Sequence, residues 1–501
     1  MKKIILLIAI IIATASLTAQ DGITLHFMRL NPYSTYSNPS AHLQYRGYIG
    51  IPAISNINFA LTNTSMHYNT LFGVNSEGKV TTLKLNNFVD KLALNGNVLS
   101  SNLSMNIIDF GFRTKHVRFG FSYRLRMDEY FSYNKDLFAL PVHGNMNYLG
   151  ENNPARPSIQ VNTTLYQEIA LGMQAEIKDR FYIGVRPKLL FGLEHVRTNQ
   201  ANATLYTNPD DYTLKLNYNL DASIASAIPY SISTDTAGKI SVKLDPKEMA
   251  KHWQDAFRNI GAAIDLGFTY RINNMFGVSA SILDLGFINW KTNCGHLSST
   301  VSPTETNTYY DDGSFMFNGL SEDDLNQLLD DPNAFVSQLQ DYFPINVEEQ
   351  KSFTKALSSR FLVEGYCSVG KYHRFTALFQ GRLFNKQFIP SLTVAWNGTF
   401  LDIFDLCVSY TVAKKSYTNL GIGIGLNLGV FHIYAATDNL FAFCNSKSPL
   451  RSLLNTSNAN IQAGIVFDWG KLHEKSLKKK DDSKSDNKKD KKDKKDKKSE
   501  E

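Results

Sequence analysis

Cysteine is scarce. Cys294, Cys367, Cys407 and Cys444 are the only four in 501 residues. Their wide spacing excludes a zinc ribbon and a dense disulfide framework. One bridge remains open, Cys294 to Cys444, because both fall in segments assigned below to the same side of a membrane. Long apolar runs are also missing. After the first twenty residues no stretch of about 18 apolar residues occurs, which excludes a membrane-spanning helix. No glycine loop to cradle phosphate, no zinc spacing and no nucleophile elbow is present, so neither a cofactor nor an enzymatic activity is expected. The histidines are scattered, and none stands at strand spacing from a serine placed for catalysis. Gly421, Gly423 and Gly425 alternate with Leu420, Ile422, Ile424 and Leu426. That is the spacing of a strand thinned on one face to admit a plug or a neighbouring side chain, not of a dinucleotide site.

Aromatic and aliphatic residues are absent from Lys478 to Glu501, where twelve Lys meet six Asp and two Glu. This segment cannot bury enough surface to fold. It carries +4 of the chain's formal +6, so the remaining body is nearly neutral at +2. A disordered Lys/Asp-rich tail over 471–501 is expected, free in solvent or in contact with anionic envelope components. Nucleic acid is not an expected partner, since no aromatic residues interleave with the lysines for stacking.

The start of the chain has the parts of a secretory signal. Met1-Lys2-Lys3 precedes the apolar run Ile4 to Ile12 and the small residues Ala13 to Ala19, with cleavage expected before Gln20. An exported chain without a spanning helix can still reside in a membrane, but only as a closed barrel.

Period-two alternation is abundant. Val117, Phe119, Phe121, Tyr123, Leu125 and Met127 alternate with Arg118, Gly120, Ser122, Arg124, Arg126 and Asp128, a strand with one oily and one polar face. Its length matches the roughly 9–11 residues that a tilted strand needs to cross a bilayer. The preceding run, from Leu103, changes phase at Ile108, which predicts a bulge. Two further hairpins turn at Lys178-Asp179-Arg180 and Asn273-Asn274, with Pro187 marking a strained or bulged point. Six or seven closely spaced strands follow from Ser359 to Trp469. Helical spacing is expected near Phe88 to Leu92, Asp245 to Phe257 and Glu322 to Tyr342. Tight turns alternate with the long polar connections Phe131 to Asn162, Thr198 to Asn259 and Lys291 to Lys355, the asymmetry of outer-membrane barrels.

If all tight turns share one side, Thr198 to Asn259 must contribute an even number of wall strands. Taking zero, the count is one N-terminal strand, six in three hairpins and seven at the C-terminal end. The expected fold is therefore all-β, a transmembrane antiparallel barrel of about fourteen strands over 42–470, with long outer loops carrying short helices. Residues 20–41 form a periplasmic or plug-like N-terminal segment, and both termini are periplasmic. By alternation Arg118, Arg124, Arg126, Glu168, Glu176, Arg186, Lys188, Asp265 and Arg271 point into the lumen. Facing lipid, each would cost up to about 2–4 kcal/mol at mid-membrane. Their mixed signs predict an ion-paired, filled interior.

Asn38-Pro39-Ser40, Asp284-Leu285-Gly286-Phe287-Ile288-Asn289-Trp290, Pro390-Ser391-Leu392-Thr393, Ser416-Tyr417-Thr418-Asn419-Leu420-Gly421 and Thr437-Asp438-Asn439 carry a family likeness. On them the chain resembles an uncharacterised, Bacteroidota-type family of Gram-negative outer-membrane barrels, within the wider FadL-like and PorV-like group. The resemblance implies two alternatives. One is passage of a small hydrophobic or amphipathic molecule through a plugged barrel. The other is an outer-membrane docking scaffold for exported proteins. The partners implied are outer-membrane lipid with either a hydrophobic small molecule or an exported protein.

Overall fold

Alternating strands can satisfy their backbone in lipid only by closing on themselves, and this chain does so. The computed structural model describes residues 22–472 apart from 65–67, 75–79, 211–213, 228–229, 235–239, 245–252, 300–344, 385–386, 414–415 and 445–457. The first wall position is shared by β1 (Tyr45–Gly50) and β2 (Ile57–Asn63), interrupted where Gly50 and Pro52 announce a kink. β3 (Asn97–Arg113), β4 (Val117–Tyr133), β5 (Ile159–Ile177) and β6 (Phe181–Thr207) follow. β7 (Leu214–Ser226) leaves the wall, and β8 (Ile260–Arg271) and β9 (Phe276–Trp290) resume it. β10 (Cys294–Ser299), β11 (Ile345–Glu349) and β12 (Phe353–Ala356) stand near one rim. β13 (Ser359–Val369), β14 (His373–Phe384), β15 (Gln387–Phe400), β16 (Phe404–Ala413), β17 (Ser416–Leu428), β18 (Phe431–Thr437) and β19 (Asn458–Lys471) complete the wall.

The last strand closes on the first, with Ile49 opposite Phe467 and Phe59 opposite Ile461. The other edge of β1 and β2 pairs with β3. Fourteen antiparallel positions result, as counted from the sequence. Oily side chains coat the outside: Phe268 is 42% exposed and Leu171 60%, whereas Asp265 and Glu168, each three residues away and so on the opposite face, are fully buried. A soluble protein buries the first kind and exposes the second, so the inversion makes the wall a transmembrane surface. No helix among the described residues is long and apolar enough to cross a membrane.

The predicted bulge is present, as a register shift between Asn106 and Ile108. It turns Ile108, Phe110 and Phe112 outward and Asp109 inward. Tight turns share one rim with both ends of the wall. Lys178 and Asp179 adopt φ of 54° there, and the Asn273 carboxamide accepts from the Met275 and Phe276 amides at 2.8 and 2.7 Å. The opposite, loop-bearing rim holds α1 (Leu85–Lys91), as expected, and α2 (Asp136–His143), which was not expected. Phe88 and Phe138 join them edge to face at 5.0 Å. β6 runs 27 residues, and its far end pairs with β7, β7 with β10, and β10 with β11. That sheet stands beyond the rim, so Thr198 to Asn259 adds no wall strand.

Several expectations are corrected or fall elsewhere. All four cysteines are free, so Cys294 and Cys444 are not bridged; burial pushes the Cys294 thiol up to about 11. Of the helix expected over Asp245 to Phe257, the described part is one 3-10 segment, Trp253–Arg258. The expected helix at Glu322 to Tyr342, the signal segment 1–19 and the tail beyond 472 lie outside the described residues. On the loop rim two residues separate Phe384 from Gln387 and Ala413 from Ser416, so the long connections belong mainly to the first half of the wall.

Candidate functional site: the plugged lumen

Fourteen strands enclose more room than wall side chains alone can fill. Residues from Gly22 to the start of β1 fill it. Ile23, Leu25, Phe27, Met28 and Tyr33 are buried together with the wall residues Leu283, Leu362, Leu378, Tyr434 and Val466. This segment is packed against the inner wall.

Wall carboxylates tie down the plug backbone. Asp438 accepts from the amides of Ile23 (3.0 Å) and Thr24 (2.8 Å), and Asp405 from that of Leu30 (2.9 Å). Charge-assisted bonds of this kind are about twice as strong as neutral ones. Glycines let the plug approach. A Cβ on Gly421 would lie 2.3 Å from Thr24 Oγ1, and one on Gly184 would lie 2.2 Å from the Pro39 carbonyl carbon. The family-marking Asn38-Pro39-Ser40 is thus a wedge seated on the inner wall. Gln174 Nε2 donates to the Ser40 carbonyl at 2.7 Å.

Six of the nine sequence-predicted charges meet in one network beside this wedge. Arg124 pairs with Glu168, and Arg126 bridges Glu168 (3.1 Å) to Asp284 (2.8 Å). Lys188 Nζ stands 2.6 Å from Asp284, 2.7 Å from Asp265 and 3.6 Å from Glu168, while Arg186 pairs with Asp265 at 2.7 Å. The other three sit apart. Arg118 donates to the carbonyls of Leu43 (3.2 Å) and Tyr45 (3.0 Å), where plug becomes wall. Glu176 pairs with Arg113, and Arg271 reaches the Asp179 carbonyl at 3.4 Å by the tight turn.

Asp284 and Arg360, which also meet at 3.3 Å, belong to the network and were not anticipated. Strict alternation from Phe276 through Ile282 would send Asp284 outward into lipid. It turns inward because β8 and β9 shift register between Ile264 and Leu266 and Asp284 adopts φ of 58°. A lone carboxylate on an oily face was the available signal. Tyr36, half-way along the plug, was missed too. The Arg124 and Arg186 guanidiniums stack on its ring at 4.2 and 4.6 Å, and its hydroxyl accepts from Asn106 at 2.8 Å.

His26 on the plug joins Ser37 (2.7 Å) to Glu364 (2.6 Å). This resembles a serine–histidine–carboxylate relay, but the Ser37 hydroxyl proton is given to the Ser34 carbonyl at 3.0 Å, so His26 is not placed to take it. The group latches plug to wall. Among the described residues no three His, Cys, Asp or Glu side chains are grouped to hold a metal.

Tyr36 separates two chambers. Above it, toward the loop rim, lies a polar one; below it an apolar cavity of about 50 Å³ runs against the wall. The ladder between two wall strands loses pairs there. The β5–β6 ladder passes from Ala170 opposite Lys188 to Met173 opposite Val185 with no pair between them, where Pro187 offers no N–H. This is a gap without the register shift that a bulge would bring. Gly120 and Gly172 stand beside it, and a Cβ on either would find nothing nearer than 3.8 Å. Inward Gly172 and Arg186 and outward Phe119 and Met173 line the same cavity, so it lies against this unpaired stretch of the wall.

A closed transmembrane barrel, plugged by its own N-terminal segment, is what these elements define. The chain belongs to the family described as "Family of unknown function (DUF5723)", whose model matches residues 39–438. No curated protein matches it. Among solved structures it is similar to the Ralstonia pickettii toluene transporter TbuX (9% identity, TM-score 0.41, 92% of this chain and 98% of that one). It is also similar to a Pseudomonas aeruginosa FadL homologue (9%, 0.40, 91% and 99%) and to the Pseudomonas putida toluene transporter TodX (7%, 0.37, 90% and 97%).

Proposed function

We propose that this protein is a non-enzymatic outer-membrane conduit, with its loop rim outward and both termini in the periplasm, that passes a small hydrophobic or amphipathic molecule. The observation that carries the reading is the unpaired stretch of ladder at Pro187. An apolar cavity lies beside the plug where the β5–β6 ladder loses two pairs, and a molecule entering at the loop rim leaves sideways into lipid there. The lumenal charges Arg118, Arg124, Arg126, Glu168, Glu176, Arg186, Lys188, Asp265 and Arg271 then serve to hold the plug and the Tyr36 partition in place. Tyr36 must swing aside for passage, because it borders both chambers.

Vesicles containing the purified protein test this with a fluorescent amphiphile. Uptake above protein-free vesicles is expected. It should rise in Tyr36→Ala and fall in Pro187→Val, which restores the missing donor. Uptake equal to that of empty vesicles in both the unaltered protein and Tyr36→Ala would end the proposal.

A second reading, a docking scaffold for exported proteins, is favoured by the sheet of β7, β10 and β11 beyond the rim. Co-purification of an exported protein with no amphiphile uptake would select it.

A further inference from the structure

We propose that a groove on the outer face of the wall, centred on β13 and β14 toward the tight-turn rim, holds an acyl chain of a zwitterionic phospholipid whose phosphate meets Lys371. The site goes beyond the conduit reading. It rests on the transmembrane wall and on the orientation proposed above, which turns this rim toward the periplasm, and not on passage through the lumen.

The outside of a barrel is convex where large side chains cover it, and here two neighbouring strands offer none. Gly365 on β13 stands opposite Ala377 on β14. Both are exposed, and a Cβ on Gly365 would find nothing within 4 Å. Their row continues to Val278 on one side and to Val394 and Tyr410 on the other. Nearer the rim, Cys367, Phe375 and Trp396 form the next row of outward side chains. The hollow these rows line has about 770 Å³, against about 50 and 70 Å³ for the two chambers in the lumen. It shares no lining residue with the cavity at Pro187.

The rings beside the hollow are drawn away from its floor. His373 stacks on the Trp396 indole at 5.9 Å and meets Phe400 edge to face at 5.8 Å. A Cβ on Gly398, two residues rimward of Trp396, would lie 2.8 Å from Trp396 Cζ2 and 2.9 Å from Phe400 Cε2. The missing side chain at Gly398 therefore lets the indole lean toward the rim, where His373 and Phe400 hold it, and Gly365 and Ala377 stay uncovered.

Among the described residues no charged side chain lines the hollow, and it lies in the oily surface, so its occupant is apolar and comes from the membrane. A second copy of the chain fits badly, because across a two-fold axis the same patch meets itself and hollow would face hollow. A flexible acyl chain can follow the floor and gains dispersion contacts that a convex stretch of wall does not give. Depth agrees. Lys371, exposed in the turn between β13 and β14, is six residues beyond Gly365, about 20 Å along the strand and about 15 Å along the membrane normal at a tilt near 40°. That is about half the hydrocarbon thickness, so a chain whose phosphate meets the Lys371 ammonium ends in the hollow. The turn between β15 and β16 carries Asp402, so this rim presents one charge of each sign, the pattern of a phosphoethanolamine headgroup.

Native mass spectrometry of the full chain in detergent, titrated with phosphatidylethanolamine, tests the site. One lipid should bind per barrel, and glycerophosphoethanolamine, the headgroup without its chains, should not displace it. Gly365→Leu fills the hollow and should weaken binding at least about tenfold, with the gel mobility of the unboiled, folded barrel unchanged; Ala377→Leu, on the neighbouring strand, should do the same. Lys371→Gln should weaken binding by about threefold, the size of an exposed ion pair. Ile461→Phe, exposed on β19 away from the hollow, should change nothing. Unchanged affinity in folded Gly365→Leu and Ala377→Leu protein, unchanged affinity in Lys371→Gln, no adduct up to about 1 mM lipid, displacement by the bare headgroup, or paired copies that carry no lipid would each overturn the proposal. Lipid binding without amphiphile uptake would leave this site standing and remove the conduit.

Discussion

Replacing Asp284 by Asn isolates one charge in the lumen. The side chains are nearly isosteric, and Asn tolerates the φ of 58° at least as well as Asp, so the backbone has no reason to move. The carboxylate lost is the one that Arg126, Lys188 and Arg360 approach at 2.8, 2.6 and 3.3 Å. Arg126 then keeps Glu168, and Lys188 keeps Glu168 and Asp265, in a site where the Asp284 side chain is 2% exposed. Breaking a buried pair from one side costs about 3–5 kcal/mol, because the partners left behind are neither solvated nor compensated. Guanidinium unfolding of the protein in detergent, followed by tryptophan fluorescence and gel mobility without boiling, measures the loss. Adding Lys188→Met to Asp284→Asn removes one stranded cation, so the double variant should lose less than the sum of the two single losses. A loss below about 0.5 kcal/mol in Asp284→Asn, the size of an ordinary surface substitution, or strict additivity in the double variant would refute a dry, coupled network.

Three further outcomes follow from the geometry. Gly184→Leu places side-chain atoms where Pro39 lies, 2.2 Å from an ideal Cβ, and should unseat the wedge; faster proteolysis near Asn38 and higher ion conductance in planar bilayers would show it. Phe268→Arg puts a charge on the lipid face and should destabilise the barrel by about 2–4 kcal/mol, measured as above, whereas Thr269→Ser, facing the lumen one residue on, should be nearly neutral. Ile49→Cys with Phe467→Cys places thiols on directly paired residues of the first and last strands, close enough to bridge. Oxidation should then shift the protein's gel mobility, and no shift would mean an open sheet.

The wall was legible in the sequence because period two is enforced at nearly every residue from Val117 to Met127 and again from Ala262 to Ile272. In both places a slip of one residue would put Arg124 or Asp265 in lipid. The bulge at Ile108 was visible for the same reason, as a change of phase. Partners were not legible. Alternation says that Lys188 and Asp284 avoid lipid, or in the case of Asp284 that something irregular must turn it, but which strands lie opposite across the lumen depends on closure and tilt. The plug was half-legible: its turn-rich composition left hanging and inserted placements equal, and only the cradle of Gly184, Gly421, Asp405 and Asp438 decides between them. Helix α2 escaped notice because Pro141 lies inside it, a residue that ordinarily argues against a helix.

Oxygen accessibility along one strand tests the whole account most directly. Single nitroxide-labelled cysteines at each residue from Ala262 to Ile272, in lipid vesicles, should report strong collision with dissolved oxygen at 262, 264, 266, 268 and 270 and weak collision at the residues between them. A flat profile, or the opposite phase, would place the oily faces against protein, and the transmembrane barrel would be wrong.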